Sequence, residues 1–532
     1  MPKYTNTKLH TLFGKYTPKT WIKIWIIIIL SIVLVGIIYF FINNNYTNKS
    51  RQTSTLATKN HFINIDKPNI YDIYEQYCMI QLPNKLDIFM KNTGFQPIED
   101  NTDGDKIDPS FTIELFIDTG NAYEDESNYG ISHFVEHLVF TNTRGWSGYT
   151  KLKDMIYPFQ ISAVTDVDTI IFTIGAYDAK NLTIADFSKC MFVIRDMLMN
   201  ADIINNPHFE NERNIILREM HMHNDDINTQ VVWRSLTKTF DQHPYDKYTK
   251  DIENKLVSLQ NITPQMAQDF YNKYFKPENA RMYIYGIIPF WPYINNMKNI
   301  DNLTNLLNSY FVENSPQLWT PTTIVQNPNT KVYFDTPDIQ RILNDQKQRL
   351  ITKLPDWKPL ISNQHNYTLN NASQIYIYIT FPLKGYFEGP DMYMDYKLNE
   401  ILGIVLSRQF KDKYSYDISS SISYYYKGGY LSIYTYINPD HLTEFIDLMK
   451  KIVNNQVIID RGVYDSYTKQ HNASDIDEYM DQTIQYPQYL FTLYDENKHT
   501  KPFADKFSYE TINAYAKTIL KEDKMNIITF SK

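Results

Sequence analysis

His133, Glu136 and His137, in the run His133-Phe134-Val135-Glu136-His137, are of the right type and spacing to hold a metal and move a proton. Positions i, i+3 and i+4 of a helix fall on one face. Two neutral imidazoles on adjacent turns can grip one tetrahedral Zn2+. A glutamate between them that stays off the metal can take a proton from water held there. An ordinary amphipathic helix with surface histidines would give the same pentapeptide, so the flanking elements must decide between the two.

Those flanks favour a site held on rigid elements. Phe111-Thr-Ile-Glu-Leu-Phe-Ile117 alternates as a strand does, and Asp118-Thr-Gly120-Asn121 supplies turn chemistry. A polar loop from Glu124 to Asn128 leads to Gly130 and to Ser132, the expected N-cap of the helix. Phe134, Leu138 and Val139 give that helix an apolar side to bury. Three protein ligands and a water make the usual catalytic zinc set, so a carboxylate or histidine must come from another element. The run Phe209 to His221 follows Pro207 and reads as a helix with Glu212 and Glu219 two turns apart on one face. Either acid could ligate while the other holds a ligand in place, or both could pair with neighbouring arginines. His223, at i+4 from Glu219, is an alternative ligand.

The spacing H-x-x-E-H is the inverzincin signature. Together, Gly120-Asn-Ala-Tyr-Glu124, Gly130-Ile-Ser-His133-Phe-Val-Glu136-His137-Leu-Val-Phe140, Glu212-Arg213 through Glu219-Met220, and Ser162-Ala163-Val-Thr165-Asp-Val-Asp168 resemble blocks of the insulysin and pitrilysin-like M16 zinc metallopeptidases. Thr263-Pro264 through Pro277-Glu-Asn279 resembles the close of that family's first domain. The resemblance implies that His133, His137 and Glu219 bind Zn2+, that Glu136 is the general base and that Glu212 supports the ligands. It places Ser162 and Ala163 on an edge strand that pairs with extended substrate backbone. Three departures stand out. The His137–Glu219 spacing is longer than usual, as if residues were inserted near Asn205 and Asn206. Ser162 replaces the family's asparagine. The stretch Leu406 to Tyr416 is shortened and has no arginine at the expected place, leaving Tyr414 or Tyr416 to hold a substrate carbonyl, with Lys413 a weak substitute.

The chain has 532 residues, a formal net charge of −8 and 2 cysteines, Cys78 and Cys190. No basic stripe suits nucleic acid, and no C-x-x-C, dinucleotide-binding or phosphate-loop motif occurs. Two buried free thiols are expected in preference to a disulfide.

Ile24 to Ile42 carries no charge and has Trp21, Trp25, Tyr39 and Phe40 around it, so residues 21–42 are expected to form a transmembrane helix. Lys3, Lys8, Lys15, Lys19 and Lys23 precede it and favour a cytoplasmic N-terminus for a single-pass membrane protein. The organisation expected is a basic tail (1–20), the membrane helix (21–42), a tether (43–75), a zinc-binding domain (76–300), a linker (301–335) and a second domain (336–532). Ile375 to Phe381 reads as a strand, Asp395 to Phe410 as a helix, Ile418 to Ile437 as a hairpin turning at Lys427-Gly428-Gly429, and Leu442 to Val457 as an amphipathic helix.

The fold class is thus α+β with two similar α/β domains, and the resemblance makes them half of an insulysin-like clam shell. It implies a zinc endopeptidase acting on peptide substrates, with a second copy or another subunit closing the chamber. The competing reading is an inactive scaffold or partner subunit.

Overall fold

Alternation of apolar residues builds two mixed sheets, each with helices packed on it. The computed structural model describes residues 77–92, 111–176, 182–248, 252–286, 307–311, 331–333, 342, 345–350, 353–359, 364–368, 373–388, 391–410, 414, 417–455, 457–470 and 507–532. The expected tail, membrane segment and tether lie outside the described residues, as does the core of the linker, 314–329.

The first sheet is formed by β1 (Tyr77–Gln81), β2 (Asp87–Asn92), β3 (Phe111–Ile117), β4 (Gln160–Thr165), β5 (Ile170–Ala176), β6 (Ala280–Gly286) and β7 (Lys331–Tyr333). Its order is β4-β5-β3-β6-β2-β1-β7, with β2 and β6 parallel and the other pairs antiparallel. The helices in this half are α1 (Ile131–Thr141), α2 (Tyr149–Ile156), α3 (Ile184–Met199), α4 (Phe209–Asp225), α5 (Ile227–Thr239), α6 (Ile252–Asn261) and α7 (Pro264–Tyr274).

The second sheet repeats the plan with β8 (Gln364–Thr368), β9 (Ile375–Leu383), β10 (Ile418–Tyr425), β11 (Gly428–Ile437) and β12 (Asn526–Ser531), in the order β10-β11-β9-β12-β8. Only β12 and β8 run parallel among its described pairs. Helices α8 (Met392–Phe410), α9 (Leu442–Asn454), α10 (Arg461–Gln470) and α11 (Tyr509–Ile519) accompany it.

The expected strand at Phe111–Ile117 and the 418–437 hairpin are both present, although the hairpin turns at Tyr426-Lys427 rather than through the glycines. Cys190 is a buried free thiol.

The expected single-pass membrane placement is corrected here. Among the described residues, no helix is long and apolar enough to cross a membrane. Even α8, with 19 residues, carries Asp395, Lys397, Glu400 and Arg408, charges that hydrocarbon does not tolerate without partners.

A buried polar network ties the hairpin turn of the second sheet to the first. Arg281 of β6 and Asp118, just after β3, are 2% and 5% exposed and pair at 2.5 Å. The Tyr426 hydroxyl donates to the same Asp118 oxygen at 3.0 Å. Asp168, in the β4–β5 turn, accepts from the Tyr245 hydroxyl at 2.9 Å and from the Tyr426 backbone N–H at 2.8 Å. Removing one partner of a buried ion pair leaves an uncompensated charge. Asp118→Ala is therefore expected to lower stability by about 3–5 kcal/mol in urea denaturation; a loss below about 1 kcal/mol would show that the network contributes little.

Burial, and then the neighbouring Asp166 charge, push the Asp168 carboxyl up to about 7. The folded state then holds a proton that the unfolded chain, titrating near its ordinary value, has released. The stabilisation is complete below that ordinary value and is lost as pH rises through about 7. Asp168→Asn, which keeps an acceptor oxygen, should flatten the stability profile between pH 5 and 8 relative to the parent, whose slope there reaches at most about 1.4 kcal/mol per pH unit. Parallel profiles measured by urea denaturation would contradict this.

Candidate metal centre

Helix α1 presents the chemistry because its other side is fully occupied. Phe134, Val135, Leu138 and Val139 are all at 0% exposure in the first core. Gly130 precedes the helix at φ 88, in the left-handed region that favours glycine, and a Cβ there would meet the Leu259 side chain at 2.9 Å. Ser132 is not the cap that its residue type suggested. It lies inside the helix, and no side chain of the N-cap residue bonds to the first turn. The buried Glu124 carboxylate does that work, accepting the Gly130 N–H at 2.9 Å and the Ser132 N–H at 3.0 Å. An anion is also favoured at the positive end of a helix. Burial still raises the Glu124 pKa, against the attraction of Lys255. Lys255 in turn is pushed down to about 8 by its own burial, with Glu124 pulling the other way.

Helix α4 supplies the acids. His137 Nδ1 lies 3.2 Å from Glu212 Oε2, so the Nδ1–H is directed to that carboxylate and Nε2 is turned towards Glu219. Glu219 Oε2 stands 3.7 Å from His137 Nε2 and 3.8 Å from His133 Nε2. One ligand atom from each of His133, His137 and Glu219 lies within 4.8 Å of the others. Donors about 2.0 Å from a tetrahedral zinc would be separated by about 3.3 Å, so a small contraction closes the set. The donor types, the spacing and the acid on Nδ1 all fit zinc. Side-chain exposures of 33% for His133 and 36% for Glu219 leave one side open, as a catalytic rather than a structural zinc requires.

The electrostatics agree with these roles. Burial, then His137, His223 and Lys255, lower the His133 pKa to about 3, keeping it a neutral donor. At His137 burial opposes the charged form, but the Glu212 hydrogen bond and the charges of Glu136, Glu219 and Glu212 outweigh it and raise the pKa. Glu136 is 5% exposed, and burial raises its pKa, partly offset by the Thr165 hydroxyl, which donates to Glu136 Oε2 at 2.6 Å. A carboxylate raised in this way is a better base near neutral pH.

A cavity of about 270 Å3 opens beside these groups, with His133, Glu136 and Glu219 on its polar side and Ile216, Met220 and Leu259 on its apolar side. Strand β4 forms one border. It is the edge of its sheet and pairs only with β5 among the described strands. Ser162 is exposed there, Ala163 and Thr165 line the cavity, and Val164 is 62% exposed, an apolar side chain that an added strand would cover. His223 borders the same cavity but is outside the converging donor set. Tyr414 is in the second core, 7% exposed, with its hydroxyl bonded to Glu444, and it does not line the cavity. Tyr416 and Lys413 lie outside the described residues. Thr165 and Lys255 were not singled out from the sequence. Strand alternation puts Thr165 on the face of Ala163 and so could have marked it, whereas nothing local marks Lys255.

Two family models match the chain: Insulinase (Peptidase family M16) over residues 102–249 and Peptidase M16 inactive domain over residues 261–456. The chain belongs to peptidase family M16. This M16 chain is 22% identical to the probable zinc protease PqqL of Escherichia coli (strain K12) over 184 residues, 33% of the chain and 18% of PqqL. It is 27% identical to the mitochondrial cytochrome b-c1 complex subunit 1 of Mus musculus over 173 residues, 31% of the chain and 32% of that subunit. These curated relatives are thus matched over a third of their length or less.

In fold, a protease from Helicobacter pylori superposes with TM-score 0.61 at 14% identity, covering 86% of this chain and 99% of that one. The periplasmic protease PqqL superposes with TM-score 0.55 at 12% identity over 86% of this chain and 47% of its own. This M16 chain therefore has the length of a half-shell.

If Glu212 orients His137, Glu212→Gln should keep the fold and weaken zinc binding by about 10–100-fold in competition with a chelator dye. Unchanged affinity would remove that role.

Proposed function

We propose that this M16 chain is a zinc-dependent metalloendopeptidase that cuts extended peptides, with His133, His137 and Glu219 as ligands and Glu136 as base. One observation carries the reading: three ligand atoms converge within 4.8 Å while Glu136 stands beside them on an open cavity. Zinc bound there supplies a Lewis acid that activates water and polarises a carbonyl.

The chain's own residues do the rest. The open edge of β4, with Ser162 and Ala163, pairs with the substrate backbone and sets the scissile carbonyl over the cavity. Glu136 takes the proton of the attacking water and passes it to the leaving amine, and Thr165 holds its carboxylate at the right place. A half-shell leaves this face open to water, so a second copy or another subunit that covers it would raise the rate by excluding solvent.

The alternative is an inactive partner subunit. Its support is the likeness to a cytochrome b-c1 complex subunit and the position of Tyr414, tied to Glu444 away from the cavity. The two readings separate on zinc-loaded full-length protein given an unstructured peptide library. Glu136→Gln should retain the metal and lose about 10²–10⁴-fold in cleavage rate. Cleavage by Glu136→Gln near the parent rate would remove Glu136 as base; a zinc-bound parent that cuts nothing, alone or with added partner, would support the subunit reading.

A further inference from the structure

Attack of water on a peptide carbonyl moves the C=O π electrons onto oxygen, and a donor aimed at that oxygen stabilises the transition state. Among the described residues lining the cavity, most polar donors are already committed. The Asn121 amide donates to the Asp166 carbonyl at 3.2 Å. The Thr165 hydroxyl donates to Glu136. Lys255 is 5% exposed and faces the charge of Glu124.

His223 differs. It is one turn beyond Glu219 on α4, is exposed, and lines the cavity without belonging to the converging donor set. Asp226 caps α5 through the Thr229 N–H at 2.7 Å, and the bend it makes brings Trp233 of α5 back over α4. The Trp233 ring then rests 5.3 Å from the His223 ring, tilted by 52°, and limits where the imidazole can point.

We propose that His223 is a catalytic residue that donates a ring N–H to the oxygen becoming negative during attack. The inference rests on the peptidase reading. No bond to His223 is made or broken: water oxygen bonds to the carbonyl carbon, Glu136 takes the proton, and the π pair becomes the oxyanion that the imidazole N–H meets.

The test uses zinc-loaded full-length Glu136→Gln protein, whose expected loss of about 10²–10⁴-fold in cleavage rate keeps the peptide probe intact during the titration, and calorimetry with two probes. One is a phosphinic peptide, which mimics the tetrahedral oxyanion; the other is the corresponding ordinary peptide. Adding His223→Ala should weaken the phosphinic peptide by about 10²-fold and the ordinary peptide by less than about threefold, with zinc content unchanged. His223→Gln, which restores an N–H donor, should recover most of the loss. With Glu136 intact, His223→Ala should lower kcat and leave KM in place. Equal weakening of both probes, or none, overturns the role of His223. Should the parent cut peptides in a Glu136-dependent way while His223→Ala changes neither binding nor kcat, the peptidase reading stands and His223 falls alone. A full-length chain that takes up no zinc overturns both.

Discussion

Helix α1 must satisfy two environments at once, and the site depends on that. Its apolar side is sunk into the first core at zero exposure, which fixes the rotation of the helix about its axis. With rotation fixed, His133, Glu136 and His137 have only one direction in which to face, towards β4 and α4. The Glu124 carboxylate fixes the remaining freedom by holding the first-turn N–H groups. A histidine pair on a helix free to roll would present its donors to solvent. Here the core sets the direction of the proposed ligands by denying the helix any alternative.

The polar side is built around excess negative charge. Glu136, Glu212 and Glu219 surround two imidazoles, and the hydrogen bond to Glu212 and the charges of Glu136, Glu219 and Glu212 raise the His137 pKa against its burial, so the arrangement favours added positive charge. A dication between the donors answers that demand better than a proton on one ring. The second sheet reaches this centre through its hairpin turn. Tyr426 bonds Asp168, in the β4–β5 turn that follows Thr165, and Thr165 holds Glu136. The second half of the chain thus steadies Glu136, the proposed base, while contributing no side chain to the cavity among the described residues, which suits a domain whose own Tyr414 is engaged with Glu444.

Much of this was legible in the sequence where the contacts are local. The helical spacing of His133, Glu136 and His137, and of Glu212 and Glu219, follows from the helix repeat, and the strand at 111–117 and the hairpin at 418–437 follow from alternation. Assigning Glu212 and Glu219 to different roles needed the family blocks, because periodicity alone treats the two acids alike. The capping of α1 was misread because Ser132 is a strong local candidate, whereas the group in use, Glu124, arrives from a loop whose path depends on tertiary packing. Lys255 and Trp233 were invisible for the same reason: they enter the cavity from separate helices. The membrane expectation rested on residues 21–42, which lie outside the described residues, and no described helix supports it.

The central claim is a single zinc held by His133, His137 and Glu219. X-ray absorption at the zinc edge, on full-length protein reconstituted and freed of excess metal, tests it most directly. The expected result is one zinc per chain with only nitrogen and oxygen donors at about 2.0–2.2 Å and the scattering signature of two imidazoles, reduced to one in His137→Ala if the metal is retained at all. No bound zinc after reconstitution, or a sulfur donor in the first coordination sphere, would contradict it.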